Sequence, residues 1–322
     1  MKVVVAFPLH ADALALLDRR PDVDYVALGR ATADQIDTRL ANTDGIVLGV
    51  TPFGAEVVGR AARMRVVSRF GVGYDNVDVA ALTARGIPLT IVGEANSTSV
   101  AEQTFALMLA AARRTRLCDA HVRGGGWRDA VTEGQIELAG RTVLVVGFGR
   151  IGRRVARRCA AFEMRVVVAD PYVERGLIEA AGHDYVADLR AALADADIVT
   201  LHMPAHADGH AEFGKSEFAR LKPGALFVNT ARGTLVDEAA LAAALTDGRV
   251  RAAGLDVLRD EPPAPDNPLL GFDNVVLSPH CSAFTAESFR RMSMAAVRNL
   301  LDAFDGCLAP EMVVNAAVLD AH

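Results

Sequence analysis

Short runs of β-branched residues alternate with segments of helical period along nearly the whole chain. Residues 3–7, 45–50, 66–68 and 88–91 read as strands. Between them, 11–19, 32–40, 55–62 and 79–85 read as helices, with Asp78 placed to cap the last. A longer helical run, 99–116, is followed by an irregular glycine-rich loop at 124–127. A second series then begins. Its strands are 142–146, 165–169, 198–201, 226–229, 252–256 and 275–277, and its helices include 151–162 and 237–246. A proline-rich loop at 262–268 and a final amphipathic helix at 285–304 complete the pattern. Strands alternating with helices imply parallel sheets covered on both faces. The expected fold class is therefore α/β, and no low-complexity segment or short repeat interrupts it.

Length and composition sharpen this. At 322 residues the chain suits about two domains of ~150 residues, each able to bury a core without disulfides or metals. The net charge of −6 is spread over interspersed acids and bases with no basic run, so nucleic acid is not an expected partner. Cys118, Cys159, Cys281 and Cys307 are scattered with no CxxC pair, which suggests neither a zinc site nor a disulfide framework and fits a reducing cytoplasm. The apolar run at 1–7 stops at Pro8, too short for a signal-peptide core. No stretch approaches ~20 uninterrupted apolar residues, so no membrane span is expected.

The sharpest local signal is Thr142-Val-Leu-Val-Val-Gly147-Phe-Gly149-Arg-Ile-Gly152. GxGxxG alone is weak evidence, but here it follows a buried-type strand and opens a helix. Gly147 permits the tight turn, Gly149 lets backbone approach a pyrophosphate, and Gly152 lets helix pack on strand. Phosphates would sit at the helix N-terminus beside Arg150 and Ile151. Asp170 ends the next strand, where an acid accepts hydrogen bonds from ribose hydroxyls and repels a 2′-phosphate. NAD rather than NADP is the expected cofactor.

Three further segments each lie just after a strand: Asn229-Thr-Ala-Arg232-Gly, Gly254-Leu-Asp256-Val with Glu261-Pro-Pro downstream, and Ser278-Pro-His280. Ligands of open α/β sheets bind at the carboxyl ends of strands, so Arg232, Glu261 and His280 can converge. Together with Arg69-Phe-Gly-Val-Gly-Tyr-Asp-Asn-Val-Asp78 and Ala95-Asn-Ser-Thr-Ser-Val-Ala-Glu102, these motifs occur in the order found in one family. Over essentially its whole length the chain resembles the D-isomer-specific 2-hydroxyacid dehydrogenases, which include 3-phosphoglycerate dehydrogenase and hydroxypyruvate reductase.

The resemblance implies that hydride moves between nicotinamide and the 2-carbon of a small 2-hydroxy or 2-oxo acid, with Arg232, Glu261 and His280 catalytic. Those residue types suit the chemistry. His280 takes the alcohol proton or returns it to the developing alkoxide. Glu261 holds the imidazole and favours its charged form. Arg232 grips the carboxylate with a planar fork and polarises the adjacent carbonyl. By the same resemblance, backbone N–H groups at Val72 and Gly73 help hold the carboxylate, while Thr230, Ala231 and Asp256 contact the nicotinamide end of the cofactor. The implied layout is two doubly wound, Rossmann-like and flavodoxin-like domains with a cleft between them. Residues 1–97 with 284–322 would bind substrate, and 98–283 would bind NAD. The helix at 99–116 would pack in a homodimer interface, and Trp127 in a subunit contact.

Leu48-Gly-Val-Thr51-Pro-Phe53 should line the substrate mouth, with Thr51 available to a polar or anionic tail. A phosphoglycerate- or hydroxypyruvate-type acid fits that expectation. The chain ends at His322, so the added regulatory domain of some phosphoglycerate dehydrogenases is not expected. His202, His206 and His210 are spaced by four, but Pro204 breaks the helix that would align them, and no metal is expected. The segment 205–210 departs from the threonine-containing turn of the family. Cys281 adjoins His280, where oxidation or alkylation would block the site. Two alternatives share the fold: a nucleotide-sensing interaction protein of corepressor type, against which the intact triad argues, and a phosphite-oxidising relative, which the triad alone leaves open.

Overall fold

The computed structural model describes residues 1–128 and 134–319, which form two units. One comprises Met1–Asn96 and the described part of Phe284–His322, the other the described part of Ser97–Ala283.

In the first unit β1 (Lys2–Val5), β2 (Asp24–Ala27), β3 (Gly45–Leu48), β4 (Val66–Arg69) and β5 (Leu89–Thr90) form a parallel sheet in the order β2-β1-β3-β4-β5. Helices α1 (Ala11–Asp18), α2 (Ala33–Leu40), α3 (Ala55–Arg60) and α4 (Val79–Ala84) make the crossovers. Thr32 caps α2 through a reciprocal pair with Gln35, and Asp78 caps α4 by accepting from Ala81 N at 2.8 Å. The strand order reverses between β1 and β3, which places the loops after those strands at its switch point. The C-terminal helix, Ala286–Asp305, returns to this unit because its buried stripe of Met292, Ala296, Leu300 and Phe304 packs on β3 and β4. Ser68 Oγ donates to the Ala296 carbonyl at 2.7 Å, satisfying a buried hydroxyl across that contact.

The second unit holds α5 (Ser97–Ala112), α6 (Thr115–Arg123), β6 (Thr142–Val146), α7 (Arg150–Ala161), β7 (Arg165–Ala169), α8 (Arg175–Ala180), β8 (Asp184–Tyr185), α9 (Leu189–Ala192) and β9 (Ile198–Leu201). It continues with α10 (Lys215–Arg220), β10 (Ala225–Asn229), α11 (Glu238–Thr246), β11 (Val250–Leu255) and β12 (Val275–Leu277). All seven strands are parallel, in the order β12-β11-β10-β9-β6-β7-β8. The central strands are mostly apolar because both faces are covered. Leu144, Val199, Phe227 and Ala253 enter one core, and Val143, Val145, Ile198 and Leu226 the other. Each such side chain is worth about 1.5–3 kcal/mol on burial.

Two expectations from the sequence need correction. The run 99–116 is two helices, broken at Arg114, which adopts φ 50° and ψ 39°. No Gly, Asn or Pro marks the break. The stop comes from tertiary structure, where Ile136 N donates to the Ala112 carbonyl at 3.0 Å. Strands β2 and β8 were also not foreseen. Both lie at sheet edges, and β2 is largely exposed, so neither carries the apolar run that marked the others. Among the described residues, no helix is long and apolar enough to cross a membrane.

Candidate active site

Every chemical group of interest in the second unit stands at the carboxyl end of a strand. Gly147, after β6, has φ 95°, and a Cβ there would lie 2.6 Å from the His202 carbonyl oxygen. A Cβ at Gly152 would lie 2.0 Å from the Gly147 carbonyl oxygen, so the loop and α7 can meet only without one. Gly149 is different. It is exposed, its φ of −74° suits any residue, and nothing lies within 4 Å of a Cβ placed there. The protein's own packing explains two of the glycines. The third keeps clear the space before the first turn of α7, whose N–H groups lack helical acceptors. Exposed Arg150 and half-buried Ile151 begin that turn. Gly149→Ala should therefore leave Tm nearly unchanged while weakening NADH binding at least ~10-fold, whereas Gly152→Ala should lower Tm by the overpacking cost of about 1–3 kcal/mol. Fluorescence titration and thermal melts separate the two.

Asp170, at the end of β7, reaches back to this loop. Its Oδ2 accepts from Phe148 N at 2.7 Å, and its Oδ1 from Tyr172 N at 2.8 Å and Val173 N at 3.2 Å. The carboxylate is thus fixed beside the glycine loop, and Oδ2 retains accepting capacity for a hydroxyl.

After β10, Asn229 braces the next loop from both sides: its Oδ1 accepts from Ala231 N at 2.9 Å and its Nδ2 donates to the Arg232 carbonyl at 2.8 Å. Thr230 is buried with its hydroxyl 2.9 Å from that of Thr104. Arg232 Nη1 donates to the Ala231 carbonyl at 2.7 Å. Gly233 then presses on another backbone, since a Cβ there would sit 2.0 Å from the Leu258 carbonyl oxygen. That contact sets the Arg232 loop against the loop bearing Glu261, whose Oε1 accepts from Leu258 N at 3.2 Å.

Glu261 Oε2 lies 2.6 Å from His280 Nδ1. A carboxylate accepts only, so Nδ1 carries the proton and Nε2 remains for chemistry. His280 adopts φ 50°, a costly conformation for a non-glycine residue. Its N–H is held by the Asp256 carbonyl at 2.7 Å and the Ser278 carbonyl at 3.1 Å. The Asp256 side chain, almost wholly buried, organises the same loop: it accepts from Cys281 N and Ser282 N at 3.0 Å each and from the Ser278 and Ser282 hydroxyls. Its carboxylate is spent inside the protein, so its first role here is to shape the His280 loop. Ser99 and Gln103 of α5 tie the loop down through the Ser282 carbonyl and the Ser278 hydroxyl. Burial, and then the Asp256 carboxylate, push the Cys281 thiol up in pKa, so it stays protonated and a poor nucleophile.

In the first unit, Thr51 and Val72–Gly73 follow β3 and β4. Asn76 links their loops by donating from Nδ2 to the Thr51 carbonyl at 2.8 Å, while Phe53 N donates to the Asn76 carbonyl at 2.7 Å. Among the described residues, the N–H groups of Val72 and Gly73 donate to no protein acceptor. The Thr51 hydroxyl, expected to meet an anionic tail, instead donates to the Ala31 carbonyl at 2.7 Å. Its proton is committed, and an anion would find only lone pairs. Arg30, the residue before Ala31, holds its guanidinium 5.3 Å from the Phe7 ring centroid. Asn229, Ser278, Ser282, Asn76 and Arg30 were given no role in the sequence reading. Three of them, Asn229, Ser278 and Asn76, stand within recognised motifs, but only the fold shows what they brace.

Residues 105–282 match the D-isomer specific 2-hydroxyacid dehydrogenase, NAD binding domain, family. The chain is 39% identical over 307 residues to a D-3-phosphoglycerate dehydrogenase of Archaeoglobus fulgidus, covering 95% of this chain and 58% of that protein. It is 35% identical over 321 residues to a glyoxylate reductase of Aeropyrum pernix, covering 97% and 95% respectively. A crystal structure of D-lactate dehydrogenase from Aquifex aeolicus, complexed with NAD and lactic acid, superposes with a TM-score of 0.88 at 26% identity, over 98% of this chain and 99% of that one. The chain thus spans a little under three-fifths of the phosphoglycerate dehydrogenase it matches and nearly all of the glyoxylate reductase.

Proposed function

Because the chain belongs to the D-isomer specific 2-hydroxyacid dehydrogenase family, we propose that it is an NAD-dependent dehydrogenase interconverting a small 2-hydroxy acid and its 2-oxo acid. The His280–Glu261 pair at 2.6 Å, with Arg232 on the facing loop, carries this reading. The fit to a dinucleotide rests on the open ground at Gly149, the first turn of α7 and the fixed carboxylate of Asp170. When bound, NAD supplies the hydride acceptor or donor, and Thr230, Ala231 and Asp256 stand on the loops assigned to its nicotinamide end.

The chain's own residues do the rest. Arg232 binds the substrate carboxylate and draws electron density from the adjacent carbonyl. In reduction, His280 Nε2 gives its proton to the oxygen that becomes the hydroxyl. In oxidation the same nitrogen takes that proton, while Glu261 keeps the ring in one orientation and offsets the imidazolium charge. In the first unit, the N–H groups of Val72 and Gly73, which donate to no protein acceptor among the described residues, are suited to a carboxylate oxygen.

For the substrate, the reading is a phosphoglycerate- or hydroxypyruvate-type acid. A threonine committed to Ala31 leaves Arg30 to recognise an anionic tail. Arg30→Ala should raise KM for phosphohydroxypyruvate several-fold while leaving glyoxylate unaffected. The protein is further proposed to work as a cytoplasmic homodimer. α5 is largely buried in its own unit, so the interface is assigned to α6, none of whose residues is buried, and to exposed Trp127.

The decisive experiment is NADH oxidation against phosphohydroxypyruvate, hydroxypyruvate, sulfopyruvate, glyoxylate and pyruvate, with NADPH in parallel. Turnover of one acid well above the rest names the substrate class. Tight NADH binding without any turnover points instead to a nucleotide sensor or a phosphite oxidiser. Asp170→Ala should cut kcat/KM with NADH by about 10–100-fold, as for loss of hydrogen bonds to a charged group, and narrow the preference over NADPH. An unchanged preference would remove Asp170 from cofactor selection.

A further inference from the structure

The segment that leaves β9 takes no part in the reaction above, yet it carries three histidines at a spacing of four. His202 stands apart. It is half-buried, its Nε2 lies 2.9 Å from Thr200 Oγ1, and desolvation holds it neutral. The other two meet without any helix. Gly209, at φ 73°, turns the chain, and its N–H donates to the His206 carbonyl at 2.9 Å. His210 is thereby laid over His206, with ring centroids 3.8 Å apart and planes at 17°. Glu212 closes on the same point, its Oε2 2.7 Å from His206 Nε2. Ligating atoms of His206, His210 and Glu212 all lie within 4.8 Å of one another.

We propose that His206, His210 and Glu212 form a binding site for a divalent transition-metal ion, with zinc the best match. Two imidazoles and one carboxylate, completed by water, are a common tetrahedral zinc set, whereas calcium and magnesium take oxygen ligands. Bonds of about 2.0–2.2 Å put tetrahedral ligand atoms roughly 3.4 Å apart, so these partly exposed side chains would close their wider gaps while the 2.7 Å His206–Glu212 contact opens to admit the ion. Asp208 supplies the outer partner: its Oδ1 lies 2.5 Å from His210 Nδ1, which fixes the proton there and leaves Nε2 with its lone pair for a metal. The segment is pinned beyond the cluster by Phe213, fully buried, whose N–H donates to the Leu235 carbonyl at 2.9 Å. An ion here would cross-link a surface loop between two fixed ends. The ligands come together through a glycine turn, so the break at Pro204 that argued against a metal does not bear on them.

The test needs neither cofactor nor substrate. The full chain is titrated with zinc chloride in competition with a chromophoric chelator. Saturable binding of one ion is expected, weakened at least ~10-fold in His206→Gln and in His210→Gln and lost in the double variant, with Asp208→Asn weakening it less. Circular dichroism verifies that each variant folds. Cobalt(II) added to the unmodified chain should give the intense visible bands of a tetrahedral site without a thiolate charge-transfer band. No saturable zinc binding, binding that survives the double variant, or a cobalt spectrum showing octahedral geometry or cysteine ligation would each overturn the proposal.

Discussion

His280→Gln is expected to lower turnover of the preferred 2-oxo acid by about 10³-fold, within the range seen for removal of a positioned general acid, while NADH affinity stays unchanged. The proton moves only as the transition state forms, so the loss should appear in kcat more than in KM. The imidazole is well set for the task. Glu261 fixes the proton on Nδ1, and two backbone bonds from His280 N to the carbonyls of Asp256 and Ser278 hold the residue in a left-handed conformation. Glutamine can occupy the position and accept the Glu261 contact geometry, but it cannot exchange a proton near neutral pH. Steady-state kinetics with a fluorescence measure of NADH binding check both halves. A variant keeping more than a tenth of normal turnover would mean that the proton comes from another group or from water.

The parts of the fold legible in the sequence were those where one physical demand dominates. Strands covered on both faces are apolar at most positions, so β6, β7, β9 and β12 could be bounded from their residues alone. The cap at Asp78 announces itself because a short polar side chain accepts from the backbone three residues on. What escaped depended on distant partners. The stop at Arg114 needs Ile136, and β2 is a strand only because β1 lies beside it. The site divides in the same way. Glycine loop, Asp170, Arg232, Glu261 and His280 are signalled by residue type at strand ends. Thr51 was read from its type alone, and its hydroxyl proved to be committed to Ala31, a residue twenty positions earlier. Asp256 likewise does its visible work through Ser278, Cys281 and Ser282, over twenty residues downstream.

Gly233→Ala is the second change with a large expected effect, and it acts without touching a catalytic side chain. A Cβ at this position would lie 2.0 Å from the carbonyl carbon and oxygen of Leu258 and 2.5 Å from Arg259 N. All three atoms are backbone, so no rotamer change relieves the overlap, and one loop must move by an ångström or more. Arg232 adjoins the glycine, and Glu261 is bonded to Leu258 N, so the displacement falls between the residue proposed to grip the carboxylate and the pair proposed to move the proton. A misplacement of about 1 Å can cost on the order of 10² in rate, and kcat/KM should fall by about that factor. Stability should fall too, since overpacking costs about 1–3 kcal/mol. The two effects can be separated with Phe218→Leu, which loosens the Phe213–Phe218–Phe227 cluster elsewhere in the same unit. Assayed well below both Tm values, the Phe218 variant should turn over normally and the Gly233 variant should not. Normal kinetics in Gly233→Ala would show that the spacing of these two loops does not set the rate, and that Arg232 reaches its substrate from a more tolerant position than the close backbone contact implies.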